Sequence, residues 1–341
     1  MLQIANKTPF KCSLGAFPNL DGIDCIVCVV KGTFALGANG VALAKEQEPI
    51  VMVDEFWDDP AKSSIKRASE MGLPKLTTDV LLRGHAYAPG GNASSVDVRL
   101  RVGELQKHVR VFGNRVWQSG LLSHKISPPE LFQKIPLRYE LAFGGTDAEP
   151  KNPDKADYEP RNPVGRGLVP RNSERKTAGT LLPNIEFPTL LIRSVKDRPP
   201  PAGFSPVCGH WEPRKAFAGT YDEAWTRKRA PYLPKDFDPR FFQCASLGLV
   251  AGKYLRGAEA VEIAGASPNG ALQFQLPECS IALVFHFDGK ALPHTSNLDT
   301  IEFSPDSDSF TMVWRACQVV DKKMHRLREV EVSCRQFRKE D

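Results

Sequence analysis

The placement of proline constrains this chain more than any other feature. The sequence has 341 residues and 28 prolines, and eighteen of these fall between Pro128 and Pro239. Each proline lacks a backbone donor and clashes with the preceding helical turn, which argues against long helices through the middle of the chain. At ~150 residues per domain, the length suggests two domains or one large β-rich one. Either can bury enough core to dispense with disulfides. Hydrophobic residues make up 41% and charged residues 25%, as in an ordinary soluble globular protein. A formal net charge of +5 is too small to argue for nucleic acid on its own.

Strand patterns flank the proline-rich middle. Residues 24–36 begin as a continuous apolar run rich in β-branched side chains, 37–40 supply a turn, and 41–44 follow, which predicts a hairpin. Val96, Val98, Leu100 and Val102 alternate with Asp97, Arg99 and Arg101, the pattern of a half-buried strand. Val109 and Val111 continue the theme up to the turn Gly113-Asn114, and Leu137, Tyr139, Leu141 and Phe143 alternate again before Gly144-Gly145. Further strands are expected at 261–264 and 271–276 around Ser267-Pro268-Asn269-Gly270, then at 281–287, 300–303, 310–320 and 328–334.

Helix signals are few. Residues 62–71 are one candidate. Thr220-x-x-Glu223 has the form of a capping box, opening a helix that Pro231 must end, with Glu223 and Arg227 on one face. Alternating strand and helix units are missing, which argues against a doubly wound parallel sheet. The expected architecture is mainly β, with antiparallel sheets of sandwich or barrel type, long Pro/Gly-rich loops and few short helices. Two β-rich halves, 1–145 and 185–341, are expected to be joined through a polar excursion at 146–184 and could share one core.

The chemical motifs resist a catalytic reading. Cys25-x-x-Cys28 has no second pair to complete a zinc site, and strand residues three apart point to opposite faces, so both are expected in the core. The seven histidines show no His-Glu-x-x-His spacing, and no Gly-x-Ser-x-Gly elbow occurs. His210, Glu212 and Asp222 are the best candidates for an enzymatic cleft. Gly144-Gly145 and Gly165-Arg166-Gly167 lack the Lys and following helix of a phosphate loop and read as constrained turns. Asp154, Asp157 and Glu159 lack calcium-loop spacing. No metal and no cofactor is expected.

Two segments remain as contact candidates. Arg161, Arg166, Arg171, Arg175 and Lys176 form a basic stretch opposed by Glu174, without the interleaved aromatics of a nucleic-acid arm. Within it, Pro163, Gly165 and Gly167 present Arg166 from a constrained loop. Arg166 then either meets a partner carboxylate or pairs internally with Glu186 or Asp222. Residues 203–242 hold nine aromatics, among them Trp211, Tyr221 and Trp225, interleaved with prolines. Such a segment builds either a rigid binding platform or a core of packed loops. The N-terminus carries no long apolar stretch of the signal-peptide kind, and no window reaches the ~18 apolar residues of a membrane span. The cytoplasm, with eight reduced cysteines, is the expected setting.

The motifs taken in order resemble the bacterial family known as domain of unknown function 2169. They are Val30-Lys31-Gly32-Thr33-Phe34, Lys75-x-x-Thr78-Asp79-Val80, Gly84-His85-Ala86, and Val111-Phe112-Gly113-Asn114-Arg115-Val116-Trp117. The run from Pro136 to Gly145 follows, then Asn162-Pro163-Val164-Gly165-Arg166-Gly167 and Leu182-Pro183-Asn184-Ile185-Glu186. Trp211-Glu212-Pro213-Arg214, continuing through Ala218-Gly219-Thr220-Tyr221-Asp222 to Trp225, is the densest block. Asn114 departs from the expected pattern, where an Asp precedes the Arg. The resemblance implies a non-enzymatic adaptor or chaperone that binds a type VI secretion effector with a PAAR-like domain and helps load it onto the spike protein VgrG. It implies neither nucleic-acid nor membrane binding, and it assigns no contact residues. From chemistry alone, Arg166, Trp211, Arg214, Tyr221, Asp222 and Trp225 are the expected contacts. Gly144, Gly145, Asn162, Pro163, Gly165, Gly167, Gly219 and Thr220 are the expected shape-giving residues.

Overall fold

The computed structural model describes residues 2–37, 40–121, 123–171 and 176–337. Ala38 and Asn39 of the expected first turn, and Glu174 and Arg175 of the basic stretch, lie outside these. Strands dominate the described residues, with one short α-helix at Glu223–Lys228 and several 3-10 turns. The longest strand, Asp24–Gly37, is apolar without alternation because both its faces are covered. Ile26, Cys28 and Val30 face the main core, whereas Val27 and Val29 pack with Phe17, Met71, Leu73 and Cys317 on the other side. Cys25 and Cys28 therefore point to opposite faces, as the strand period requires.

Three larger sheets carry the fold. One runs in the order Lys11–Pro18, Asp24–Gly37, Ser309–Val319, Asn297–Ser304, Asp79–Leu82, with Gly40–Leu43 added beside Asp24–Gly37. The second runs Ile185–Glu186, Leu105–Phe112, Ser95–Val102, Ala260–Ala264, Leu272–Gln275. The third runs Gln3–Asn6, Leu327–Cys334, Ile281–Phe287, Lys290–Thr295. None closes into a barrel. Pairing is mostly antiparallel, but Gln3–Asn6 lies parallel to Leu327–Cys334, and Asp79–Leu82 parallel to Asn297–Ser304. Each sheet draws strands from both sides of the 146–184 excursion. The regions 1–145 and 185–341 thus interleave around one hydrophobic cluster holding Phe34, Val98, Leu283, Trp314 and Val330. Local patterning fixes which face of a strand is buried, but it does not say which distant strand lies alongside.

Local expectations fail where long-range bonds compete. Residues 62–71 are not helical: Ile65–Arg67 is a short strand antiparallel to Glu55–Phe56. Glu70 just beyond it accepts from the buried Lys31 Nζ at 2.7 Å and from Val51 N at 2.8 Å, bonds that a helix would forfeit. The alternation from Leu137 to Phe143 marks Leu137, Tyr139 and Phe143 correctly as buried, but the chain takes a 3-10 turn at Tyr139–Leu141, so Leu141 is only half-buried and Ala142 is buried in its place. The excursion also folds back. Arg166–Gly167 pairs in parallel with Phe143–Gly144, and Leu168 and Leu182 join Trp117, Phe143 and Ile192 in a second core.

Candidate functional site

The loop at 162–167 is built around a fully buried asparagine. Asn162 Nδ2 donates to Tyr139 O at 2.8 Å and Phe143 O at 3.0 Å, tying the loop to the 3-10 turn. Its own carbonyl accepts from Gly145 N at 2.9 Å and Gly165 N at 3.2 Å. Gly144 has a φ of +155°, and a Cβ there would lie 2.1 Å from Asn162 O, so no other residue fits. Thr146 Oγ1 donates to Pro163 O at 3.0 Å, and Gly167 continues the short parallel ladder beside Gly144. Arg166 is half-buried and donates to Asn184 Oδ1. Neither expected internal acceptor takes it: Glu186 is occupied by the buried Arg115, and Asp222 caps a helix. Burial lowers the Arg166 guanidinium to a pKa of about 10. Asn184, unremarked as a partner in the sequence, also donates to Phe112 O at 2.9 Å.

The aromatic segment 203–242 divides into two parts. In the first, Trp211 is 1% exposed and meets Tyr139 edge-on, with centroids 5.8 Å apart. Arg214 donates to Phe241 O through Nε at 3.1 Å and Nη2 at 2.9 Å, and to Val207 O through Nη1. Its guanidinium also lies 5.1 Å from the Phe241 ring centre. Both residues are committed to interior contacts. Lys107, whose Nζ lies 5.9 Å from the centre of the Phe204 ring, is buried and donates to Ser246 Oγ at 2.6 Å and Leu247 O at 3.0 Å. Burial lowers its pKa to about 7.

The second part projects outward. Gly219, at φ +78°, turns the chain where a Cβ would strike Pro234 and Asp236. Thr220 is not the helix cap: its hydroxyl donates to Asp236 Oδ2 at 2.7 Å, while its backbone N–H binds Oδ1 at 3.0 Å. The cap is Asp222, which accepts from Trp225 N at 2.7 Å. The competing carboxylate, sixteen residues downstream, is what the capping-box pattern could not register. Tyr221 and Trp225 meet edge-on at 4.7 Å, and Trp225 Nε1 donates to Tyr232 O at 2.8 Å. Arg229 donates to Leu233 O at 2.8 Å and reaches Leu20 O, fastening this tip to the turn between the first two strands of the largest sheet. The Tyr232 ring lies over Gly22 in that turn. Tyr221 stays 54% and Tyr232 39% exposed, and Leu20 and Ile23 of the turn are exposed too. The sequence reading did not single out Tyr232 or the 19–23 turn, because only the tertiary fold sets them beside Trp225.

Most remaining family-motif residues tie strands together. Lys75 Nζ bonds Asp79 Oδ2 at 2.7 Å and Thr300 Oγ1 at 2.7 Å, and Asp79 also accepts from Gln243 Nε2 and Cys244 N. His85 Nδ1 lies 2.7 Å from Asp306 Oδ2, whose other oxygen accepts from Tyr87 at 3.0 Å. No hydrogen bond or ion pair joins His210, Glu212 and Asp222 to one another. Burial, then the Lys215 and Arg214 charges, holds the His210 imidazole below its usual range. Clefts of about 810 Å³, beside Tyr87, Asp97 and Arg110, and about 970 Å³, beside Tyr254, Arg256 and Cys279, contain none of the expected contact residues. Among the described residues, His286, Glu329 and Glu331 bring potential ligand atoms close together, with Lys7 Nζ 2.9 Å from Glu331.

No curated protein and no solved structure matches this chain. A family comparison matches residues 21–315, most of the chain. The chain belongs to the bacterial family described as "Uncharacterized protein conserved in bacteria (DUF2169)".

Proposed function

We propose that this chain is a cytoplasmic, non-enzymatic adaptor that binds a type VI secretion effector through its PAAR-like domain and helps load it onto the VgrG spike. The partner class comes from the family resemblance. The observation that carries a binding role is the projecting tip, where Tyr221, Trp225 and Tyr232 form a ridge held rigid by its own hydrogen bonds. Aromatics dominate interface energetics, and a ridge already fixed in place loses little entropy on association. Arg166 and Arg214 are bonded within the chain and Trp211 is buried, so the ridge rather than these three offers the contact area.

Co-expression with the effector encoded beside it, followed by size-exclusion chromatography, tests the reading. A co-eluting complex that takes up VgrG supports it. Separate elution of all three proteins overturns it. Turnover of a small substrate that is lost in His210→Ala but not in Tyr221→Ala would favour the enzymatic alternative.

A further inference from the structure

The outer face of the four-stranded sheet gathers metal-ligating side chains that an adaptor role leaves unused. In the strand Leu327–Cys334, Val330 and Val332 turn into the main core, so Glu329 and Glu331 share the opposite face. His286 stands directly across from Glu329 in the antiparallel ladder, and the register slips between His286 and Phe287. Such an irregularity re-aims the side chains beside it. One ligand atom from each of His286, Glu329 and Glu331 lies within 4.8 Å of the other two. His286 Nε2 is 3.8 Å from Glu331 Oε2, while Lys7 Nζ holds the other oxygen, Oε1, at 2.9 Å. Sequence spacing gives no sign of this trio, because His286 meets the glutamates only through the ladder.

Two features of the trio call for a ligand. His286 Nε2 is shut off from solvent and has no hydrogen-bond partner, and the 3.8 Å to Glu331 is too long for one. A polar nitrogen buried without a partner bears its full desolvation cost. Glu329 and Glu331 also set two carboxylates side by side. Among the described residues, Lys7 is the one lysine or arginine paired with either, and no ion pair reaches Glu329. A cation held between the three side chains would give the nitrogen a partner and balance the second carboxylate.

We propose that His286, Glu329 and Glu331 form a site for a divalent transition-metal ion of the zinc class. One imidazole nitrogen and two carboxylate oxygens suit zinc, whereas calcium and magnesium take oxygen ligands. Tetrahedral zinc, with bonds of about 2.0–2.2 Å, sets its ligand atoms about 3.3–3.6 Å apart. Small rotations of two half-exposed glutamate side chains close the gap from 4.8 Å. Ala5, opposite Glu331 on the strand Gln3–Asn6, leaves room beside it. Three protein ligands leave the fourth position to water or to a donor from another molecule. Glu329 and Glu331 lie beyond the family match at 21–315, so family membership neither supplies nor requires this site, and the proposal does not depend on the adaptor reading.

The test titrates the purified full-length chain, treated with a chelator and kept reduced, with zinc chloride by calorimetry, and repeats the titration with magnesium chloride. The expected result is one zinc per chain, no magnesium, and an affinity for zinc at least tenfold weaker in Glu329→Gln and in His286→Gln. Zinc is also expected to raise the thermal midpoint of the parent and to leave that of Glu329→Gln unmoved. Glu329 has no ion pair to lose, so Glu329→Gln is expected to keep the metal-free midpoint of the parent, and it carries the test if His286→Gln folds poorly. The eight free cysteines are the competing ligands. Zinc bound as tightly by Glu329→Gln as by the parent places the metal elsewhere, on those thiols, and overturns the proposal. So does a parent that binds no zinc, or one that binds magnesium as tightly as zinc.

Discussion

The two parts of the aromatic segment share a composition and differ in fate. Around Trp211 and Arg214 the aromatic and cationic groups turn inward, and every guanidinium nitrogen of Arg214 faces a backbone carbonyl or an aromatic ring. Around Tyr221 and Tyr232 similar side chains stand on a turn and a six-residue helix whose polar groups are satisfied locally, which leaves the rings in solvent. The first part sits over the main core and can bury its rings there. The second rests on the turn at 19–23, which is too small to cover three aromatics. Aromatic density therefore marks a region of large contact area without saying whether the contact lies within the chain or with a partner.

The sharpest way to break this contrast is Trp211→Ala. Removing a buried indole is expected to cost about 3–5 kcal/mol, read as a lower urea midpoint with an unchanged m-value. A midpoint within error of the parent would move Trp211 to the surface and erase the distinction. Lys107 sharpens the same side. Its ammonium is lowered to about 7 in the fold, while the unfolded chain protonates near the ordinary value of 10.5. Between those values the unfolded state holds the extra proton, so stability rises with pH across that window; below pH 7 both states are protonated and the burial penalty is fully felt. Two donors suffice for Ser246 and Leu247, and a neutral amine has both. Lys107→Met removes the titration, so parent minus variant stability should climb from pH 7 to pH 10 in urea melts. A difference that stays flat would place a charge partner near the amine.

Smaller effects belong to the tip. Asp222→Ala loses the helix cap and is expected to cost about 1 kcal/mol. The Glu223–Arg227 pair is exposed on both sides, and Arg227→Ala should leave the melting point where it is. If Asp222→Ala matched Trp211→Ala in cost, the tip would be part of the core after all.

How much of this the sequence conveys depends on the range of the interaction. The period-two run at Val96–Val102 fixed its own burial residue by residue, and the run at 24–36 correctly indicated the strand and hairpin, while its burial on both faces came only with the fold. Cys25 and Cys28 went to opposite faces by strand geometry alone. Partnerships between distant segments were invisible. Arg166 meets Asn184 because a parallel ladder brings residue 166 beside residue 143, and Thr220 is engaged by Asp236 across a turn, which leaves the capping to Asp222. The interleaving of 1–145 with 185–341 belongs to the same class, since side-chain alternation carries no record of which strand comes alongside. At the candidate site, Tyr221 and Trp225 were legible as aromatic and Trp211 as large and apolar. The depth of each, which decides its role, was not.

The central claim is that the tip carries the binding and the buried part carries the fold. Its most direct test is the affinity of the proposed partner, a PAAR-like effector domain, for Tyr221→Ala/Tyr232→Ala, measured by calorimetry beside the thermal midpoint. The account predicts at least a tenfold loss of affinity, with a midpoint unchanged from the parent. Full affinity in the double variant, at an unchanged midpoint, would contradict it.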